Sequence, residues 1–161
     1  MVTFNALLAR FYGIGHDSIP FLLRRIKMSC SLIQTANQAS QIIPLNGIIP
    51  LGTTIRRYGC NIRLIGDGIE IDGEGYYKVN AAITVEPDTI GAVSVSLYDN
   101  GLPIQGAIAT GYASVADTPV TLPIITTIRK GCCCSGASNL TLVLTEGSGN
   151  VTNVSLRVDK D

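Results

Sequence analysis

The sequence has few of the groups that catalyse reactions. Its 161 residues include a single histidine, His16, so the part of the chain after residue 27 has none. Serine and cysteine nucleophiles usually depend on a neighbouring imidazole as base, so histidine-dependent catalysis is excluded for that part. One histidine also argues against an intrachain zinc site. The sequence therefore predicts no catalytic residue, no metal, no cofactor and a protein that is not an enzyme.

Charge is scarce as well. Asp, Glu, Lys and Arg make up 15% of the residues, and the twelve basic side chains balance twelve acidic ones. Without a basic excess, nothing indicates binding to nucleic acid or to an anionic membrane surface. With so few charges and 46% hydrophobic residues, the chain exposes more apolar surface than is usual for a small soluble monomer. We therefore expect further copies of the chain to cover part of that surface.

Long hydrophobic runs are absent too, so no segment is predicted to span a bilayer. Residues 1–27 are apolar, but Arg10 and Asp17 interrupt them, and no basic leader precedes a clean apolar core as in a secretory signal. Two interpretations stay open for this segment. It is an anchoring segment with short amphipathic helices, or an over-long gene prediction whose true start is Met28. In both, residues 28–161 form the main domain.

From residue 31 onward the hydrophobic pattern has a period of two. The segments YYKVNAAITV and VSVSLYDNG alternate apolar and polar side chains, and the second ends in a tight-turn signal, Asp99-Asn100-Gly101. LPIQGAIATGYAS reads as the return strand, with Gly106 and Gly111 marking bulges or close backbone approach. About eight short strands and no helix after residue 27 predict an all-β fold. The expected architecture is an antiparallel β-sandwich, a jelly roll, behind a short N-terminal segment that is helical if it is an anchor.

Two proline-containing segments have more specific expectations. TPVTLPIITTI alternates like a strand, but Pro119 and Pro123 cannot donate hydrogen bonds to a sheet, so this strand should lie at an edge or carry a bulge. The apolar segment IIPLNGIIPLGTTI carries two prolines and repeats a short phrase. It is expected to be extended and to pack across the sandwich or against a neighbouring subunit.

Short charged clusters show no ligand-binding pattern. Asp67, Glu70, Asp72 and Glu74 lie in a glycine-rich stretch without the spacing of a calcium loop, so they predict solvated turns. The basic pairs Arg56-Arg57 and Arg129-Lys130 predict solvated strand ends, with polar contacts between subunits as the alternative.

Five cysteines are the candidate disulfide or packing residues: Cys30, Cys60, Cys132, Cys133 and Cys134. The last three form the run RKGCCCSGAS between two late strands. Successive side chains point apart, so the run is poorly placed to bind one tetrahedral metal ion. A disulfide to Cys60 or Cys30, a contact between copies on a three-fold axis, and packing as small apolar side chains all stay open. Since five is odd, at least one thiol is free or pairs between chains.

An ordered set of residues resembles the trimeric jelly rolls of the tumour necrosis factor and complement globular-head type, and more closely their bacterial and phage relatives. In that family a Gly-x-Tyr strand opens a long central strand, a hairpin follows, and the next strand begins after an Asn-Gly turn near a proline. The matching residues are Gly75, Tyr76, Tyr77, Val79, Asn100, Gly101, Pro103, Gly106 and Thr110. The last hairpin, LTLVLTEGSGNVTNVSLRVDKD, also matches. The resemblance covers residues 31–161, and the tri-cysteine run and the N-terminal segment depart from it.

The resemblance implies a homotrimer, a last strand in the middle of one sheet, and a binding or structural role. The predicted function is that of a non-enzymatic virion structural protein, a trimeric fibre or head-decoration domain exposed for surface attachment or binding of a host-surface glycan. Residues 1–27 would dock it onto a capsid or tail protein. A bacterial cell- or spore-surface adhesin or structural domain of the same fold is the alternative. Tyr98 and Tyr112 are the candidate ligand contacts, with core packing as their other role.

Overall fold

The computed structural model describes residues 31–131 and 136–161, which contain β-strands, turns and loops and no helix. The predicted N-terminal segment and Met28 lie outside the described residues. Across those same ranges, no helix qualifies as a candidate membrane span. The strands are β1 Leu32–Asn37, β2 Gln41–Ile43, β3 Ile48–Ile49, β4 Thr53–Tyr58, β5 Ile62–Ile65, β6 Gly68–Ile71, β7 Gly75–Pro87, β8 Gly91–Asp99, β9 Leu102–Ala113, β10 Val120–Lys130, β11 Ser138–Glu146 and β12 Gly149–Lys160.

The strands form two antiparallel sheets. The front sheet has the order β10-β7-β12-β1-β4, with β2 beside β12. The back sheet has the order β5-β6-β11-β8-β9, with β3 beside β11. The last strand, β12, lies in the middle of the front sheet, as the family resemblance implied. The architecture is the predicted all-β sandwich of jelly-roll type.

Alternation along β7 builds one wall of the core. Tyr77, Val79, Ala81, Ile83 and Val85 are each at most 6% exposed, so the face predicted to be apolar is the buried one. The back sheet supplies the opposite wall through Val93, Val95, Leu97, Leu140, Leu142 and Leu144. Burial of each large aliphatic side chain contributes about 1.5–3 kcal/mol, which makes this core the main source of stability.

The β8–β9 hairpin has the predicted turn. Asn100 and Gly101 have φ angles of 50° and 79°, and two successive positive φ values are typical of the tight turn that matches strand twist. The pairing register shifts between Ser96 and Tyr98, where β9 runs through Gly106 at φ 77°. The predicted bulge therefore lies at Gly106.

The strands β9 and β10 close one side of the sandwich. β10 is an edge strand of the front sheet, which explains why it tolerates Pro123. A Cβ atom at Gly111 would lie 2.5 Å from Cγ1 of Val120, so the glycine permits the close approach of β9 to β10. The edge position predicted from the prolines and the close backbone approach predicted at Gly111 are therefore both confirmed.

The predicted extended stretch, residues 42–55, packs across the sandwich as far as Leu51 and then continues into β4. Its first part, β2, pairs with β12 in the front sheet, and its second part, β3, pairs with β11 in the back sheet. Between them the backbone N–H of Asn46 donates to the carbonyl of Leu144 at 2.7 Å. We call residues 41–51 the strap.

The described residues hold twelve strands rather than the eight or so predicted. The additional strands are β1 to β4. β2 and β3 are too short to show a period, and all six residues of β4 are exposed. In β1 the inward positions include Thr35 and Asn37, so its buried face does not look apolar in the sequence.

Candidate functional site

No cluster of three or more His, Cys, Asp or Glu side chains that could hold a metal ion occurs in the described ranges. Of the four acidic residues predicted to be solvated between residues 67 and 74, Glu70 lies in β6 and has a structural partner, since Arg63 Nε donates to its Oε1 at 2.6 Å across the β5–β6 pair. The expectations of no catalytic residue and no cofactor stay predictions.

A network of hydroxyl groups lies on the outer face of the back sheet. Ser94 Oγ lies 2.9 Å from Thr110 Oγ1 and donates to Glu146 Oε2 at 2.8 Å. These contacts link β8 to β9 and β11. Ser94 is only 2% exposed, so its hydroxyl is closed to a substrate and the network joins strands.

Of the five candidate cysteines the structure places one. Cys60 lies between β4 and β5 and is an exposed thiol. Cys30, Cys132, Cys133 and Cys134 lie outside the described residues. A disulfide or packing role for these cysteines stays a prediction.

The two candidate ligand-contact tyrosines do not share a site. Both lie on the outer face of the back sheet, but Tyr98 lies near the end of β8 and Tyr112 pairs with Ala92 near its beginning. Six residues of β8 separate those positions, which amounts to about 20 Å along a strand. Tyr112 is 70% exposed and Tyr98 is partly buried, and neither belongs to the core cluster.

The four residues of the two basic pairs have different environments. Arg57 Nε donates to the carbonyl of Ile62 at 2.9 Å, and Lys130 Nζ donates to the carbonyl of Ile71 at 2.7 Å. Arg129 lies over the ring of Tyr76, 6.0 Å from its centroid. Arg56 points to the outer face of the front sheet, into a pocket. Arg129 and Lys130 line a second pocket, but their cationic groups already contact the Tyr76 ring and the Ile71 carbonyl. Arg56, at the first pocket, makes no such contact within the described ranges.

That pocket has a volume of about 430 Å³ and lies over β1, β4 and the end of β12. Its walls include Leu32, Gln34, Arg56, Tyr58, Arg157 and Asp159. No pattern in the sequence predicted this site. Arg56 and Tyr58 are two residues apart, which places them on one face of a strand, but β4 itself lacks the alternation that would have revealed it.

Exposed apolar side chains form two main groups, one between Ile42 and Tyr58 and one on the side that β9 and β10 close. Five of the thirteen large exposed hydrophobic residues in the described ranges lie on these strands or their connection: Leu102, Ile108, Tyr112, Val115 and Ile125. Between Leu102 and Ile128 the only charged residue is Asp117. We call this surface the uncharged flank.

Two ionisable groups of β7 have shifted pKa values. The pKa of Tyr77 is raised, chiefly by burial and secondarily by the negative charge of Asp72. The pKa of Lys78 is raised by its hydrogen bond to Asp161, at 2.7 Å, and by the charge of the same carboxylate. The first shift thus reflects mainly the packing of the core, and the second an ion pair at the end of the chain.

No family model matches the chain, and no curated protein matches it. Solved structures do match. Eiger TNF from S. frugiperda has a TM-score of 0.60 at 11% identity, over 82% of this chain and 91% of that one. The globular domain of zebrafish complement 1qA protein has a TM-score of 0.61 at 5% identity, over 80% and 94%. The PRD1 vertex protein has a TM-score of 0.52 at 14% identity, over 81% and 96%.

Each match covers most of both chains at low identity, which is the pattern of a shared fold. With the strand order described above, it identifies the fold of this chain as a jelly roll of the tumour necrosis factor and complement globular-head type.

Proposed function

We propose that the chain is a non-enzymatic structural domain on the outside of a phage particle, assembled as a homotrimer and used to attach to a surface or to a glycan on it. Residues 1–27 dock the domain onto a capsid or tail protein in this proposal. The structural domain occupies residues 28–161. Its ligand-binding surface faces away from the particle.

The exposed apolar surface of the uncharged flank is the main support for the proposed homotrimer. A run from Leu102 to Ile128 with one charged residue exposes large side chains such as Ile108 and Ile125. Apolar surface of this kind is usually covered by a partner. Because the whole chain has few charges, and because other copies of the chain are always available, a further copy is the partner that fits this surface best. The jelly rolls that the chain resembles are trimers, which favours three copies.

The location rests on a different observation. The PRD1 vertex protein, a phage vertex protein, has the same fold over nearly its whole length. Its name places that protein at the vertex of a particle. Eiger TNF and complement 1qA show that the fold is not confined to particles, so a bacterial cell- or spore-surface domain is the alternative outcome.

Electron microscopy with a gold-labelled antibody against residues 31–161 tests the location. We expect label on purified particles and none on uninfected cells or spores. Particles without label would overturn the virion role, and label on the cell wall or spore coat would support the adhesin alternative. Separately, turnover of any glycan by the purified full-length chain would overturn the non-enzymatic part of the proposal.

A further inference from the structure

The pocket over β1, β4 and β12 has a regular origin in the sheet. Gln34 pairs with Arg56 on one side and with Arg157 on the other, so the three side chains form a row across three strands. Neighbouring strands are about 4.8 Å apart, which places the two arginine backbones about 10 Å from each other. Long side chains on the same face at that separation can converge on one small group between them.

The charge in the pocket is not balanced. Its lining contains the guanidinium groups of Arg56 and Arg157 against the single carboxylate of Asp159, while the ammonium of Lys160 lies over the ring of Tyr77, 5.8 Å from its centroid. That carboxylate binds Arg157 through Nε, at 2.9 Å, which leaves the terminal nitrogens of the guanidinium as donors. Arg56 forms no ion pair with any residue of the described ranges. A net positive pocket on a chain of zero net charge favours an anion.

The next row supplies an apolar wall. Leu32 pairs with Tyr58 on one side and with Asp159 on the other, on the same face as the arginines. The ring of Tyr58 belongs to a side chain that is 65% exposed, so it is free to stack on a flat ligand. A sugar ring has such an apolar face, and the pocket volume lies within the usual range of small-molecule sites.

We propose that this pocket binds an acidic sugar, with its carboxylate held between Arg56 and Arg157 and its ring against Tyr58. The planar fork of a guanidinium matches the two oxygens of a carboxylate, which makes arginine better suited to this task than lysine. The inference deepens the attachment role proposed above and rests on it for the choice of a glycan as ligand. The site differs from the predicted one at Tyr98 and Tyr112, which lie on the back sheet.

Titration of the full-length protein with sialyllactose and with neutral lactose, followed by saturation-transfer NMR at constant salt, tests the site. We expect sialyllactose to bind at least about tenfold more tightly than lactose, since hydrogen bonds to charged groups carry the difference. Arg56→Ala should weaken sialyllactose binding by about tenfold or more. Arg56→Lys should give an intermediate loss, because it keeps the charge but not the fork. Arg129→Ala, on the opposite edge of the same sheet, is the matched control and should leave the affinity unchanged.

Equal affinity for lactose and sialyllactose would overturn the inference, and so would an unchanged affinity in Arg56→Ala or an equal loss in Arg129→Ala. Measuring the native mass of the same variants distinguishes an effect on the ligand site from an effect on subunit assembly. If Arg56→Ala changes the number of subunits, the pocket is a subunit contact and the inference fails. If the wild-type chain is a monomer that still needs Arg56 for sialyllactose, the assembly proposal fails and the pocket stands.

Discussion

Tyr77 shows how a single buried polar group links the core to the solution pH. Its ring is part of the core, and its hydroxyl donates to the carbonyl of Gly73 at 2.9 Å. Burial, with a smaller contribution from Asp72, raises its pKa above the ordinary 10.0. The folded state therefore holds the Tyr77 proton more tightly than the unfolded state. The stability this gives is complete at neutral pH, begins to fall near pH 10 and is lost as the pH rises through the folded-state pKa.

Tyr77→Phe should separate the two contributions of this hydroxyl. At neutral pH the variant loses the hydrogen bond to Gly73, and we expect the free energy of unfolding to fall by about 1 kcal/mol. Above pH 10 the variant should lose stability less steeply than the wild type, because the group that titrates is gone. Urea denaturation at several pH values measures both effects. Parallel pH profiles for the two proteins would contradict the assignment.

Two polar residues also explain why β1 was not predicted from the sequence. Thr35 and Asn37 occupy inward positions of β1, where a period-two pattern calls for apolar side chains. Thr35 Oγ1 lies 3.5 Å from the carbonyl of Leu156, and Asn37 Nδ2 donates to the carbonyl of Pro50 at 3.1 Å. These partners are more than ten residues away along the chain, so no local pattern reveals them.

Among the elements, the β8–β9 hairpin offers the cleanest test of backbone conformation. Gly101 and Gly131 both have open space where a Cβ would lie, but only Gly101 has a left-handed backbone, at φ 79°. Gly101→Ala should therefore reduce the free energy of unfolding by about 1–2 kcal/mol. Gly131→Ala is the matched control and should change it by less than about 0.5 kcal/mol. Equal losses measured by urea denaturation would show that φ is not the cause.

The strap allows a test with two neighbouring isoleucines. Ile49 is fully buried in the core, and the adjacent Ile48 is half exposed on the outer side of the same short strand. Ile49→Ala should cost about 2–5 kcal/mol of unfolding free energy through lost burial and a cavity. Ile48→Ala should cost less than about 0.5 kcal/mol. If thermal or urea unfolding shows similar losses, the strap does not pack as described.

The longer elements were predictable because burial imposes a clear period on them. β7, β8, β11 and β12 alternate over nine residues or more, and the turns after β8 and β11 carry Asn-Gly and Gly-Ser-Gly. The pocket was not predictable because its walls come from β1, β4 and β12, which are far apart in the chain. Its composition depends on the register between strands, and a one-residue change in register would point Arg56 away from it.

On the scale of the whole molecule, the distribution of charge divides the surface. The front sheet carries Arg56, Lys78, Arg157 and Asp159 on its outer face, whereas the uncharged flank carries Asp117 alone. A neighbouring copy that covers the flank removes apolar side chains from water without burying unpaired charges, which would be costly. We therefore propose that the flank mediates assembly and that the charged face contacts the ligand.

Native mass spectrometry of the full-length chain tests the assembly most directly, with one variant on the flank and one away from it. Ile125 and Ile42 are 79% and 83% exposed, so aspartate at either position is harmless to a lone subunit. The wild type and Ile42→Asp should have three times the chain mass of 17.0 kDa. Ile125→Asp should have the mass of one chain, because the interface would bury an unpaired carboxylate. A wild-type monomer at micromolar concentration, or a trimer that survives Ile125→Asp, would contradict the account.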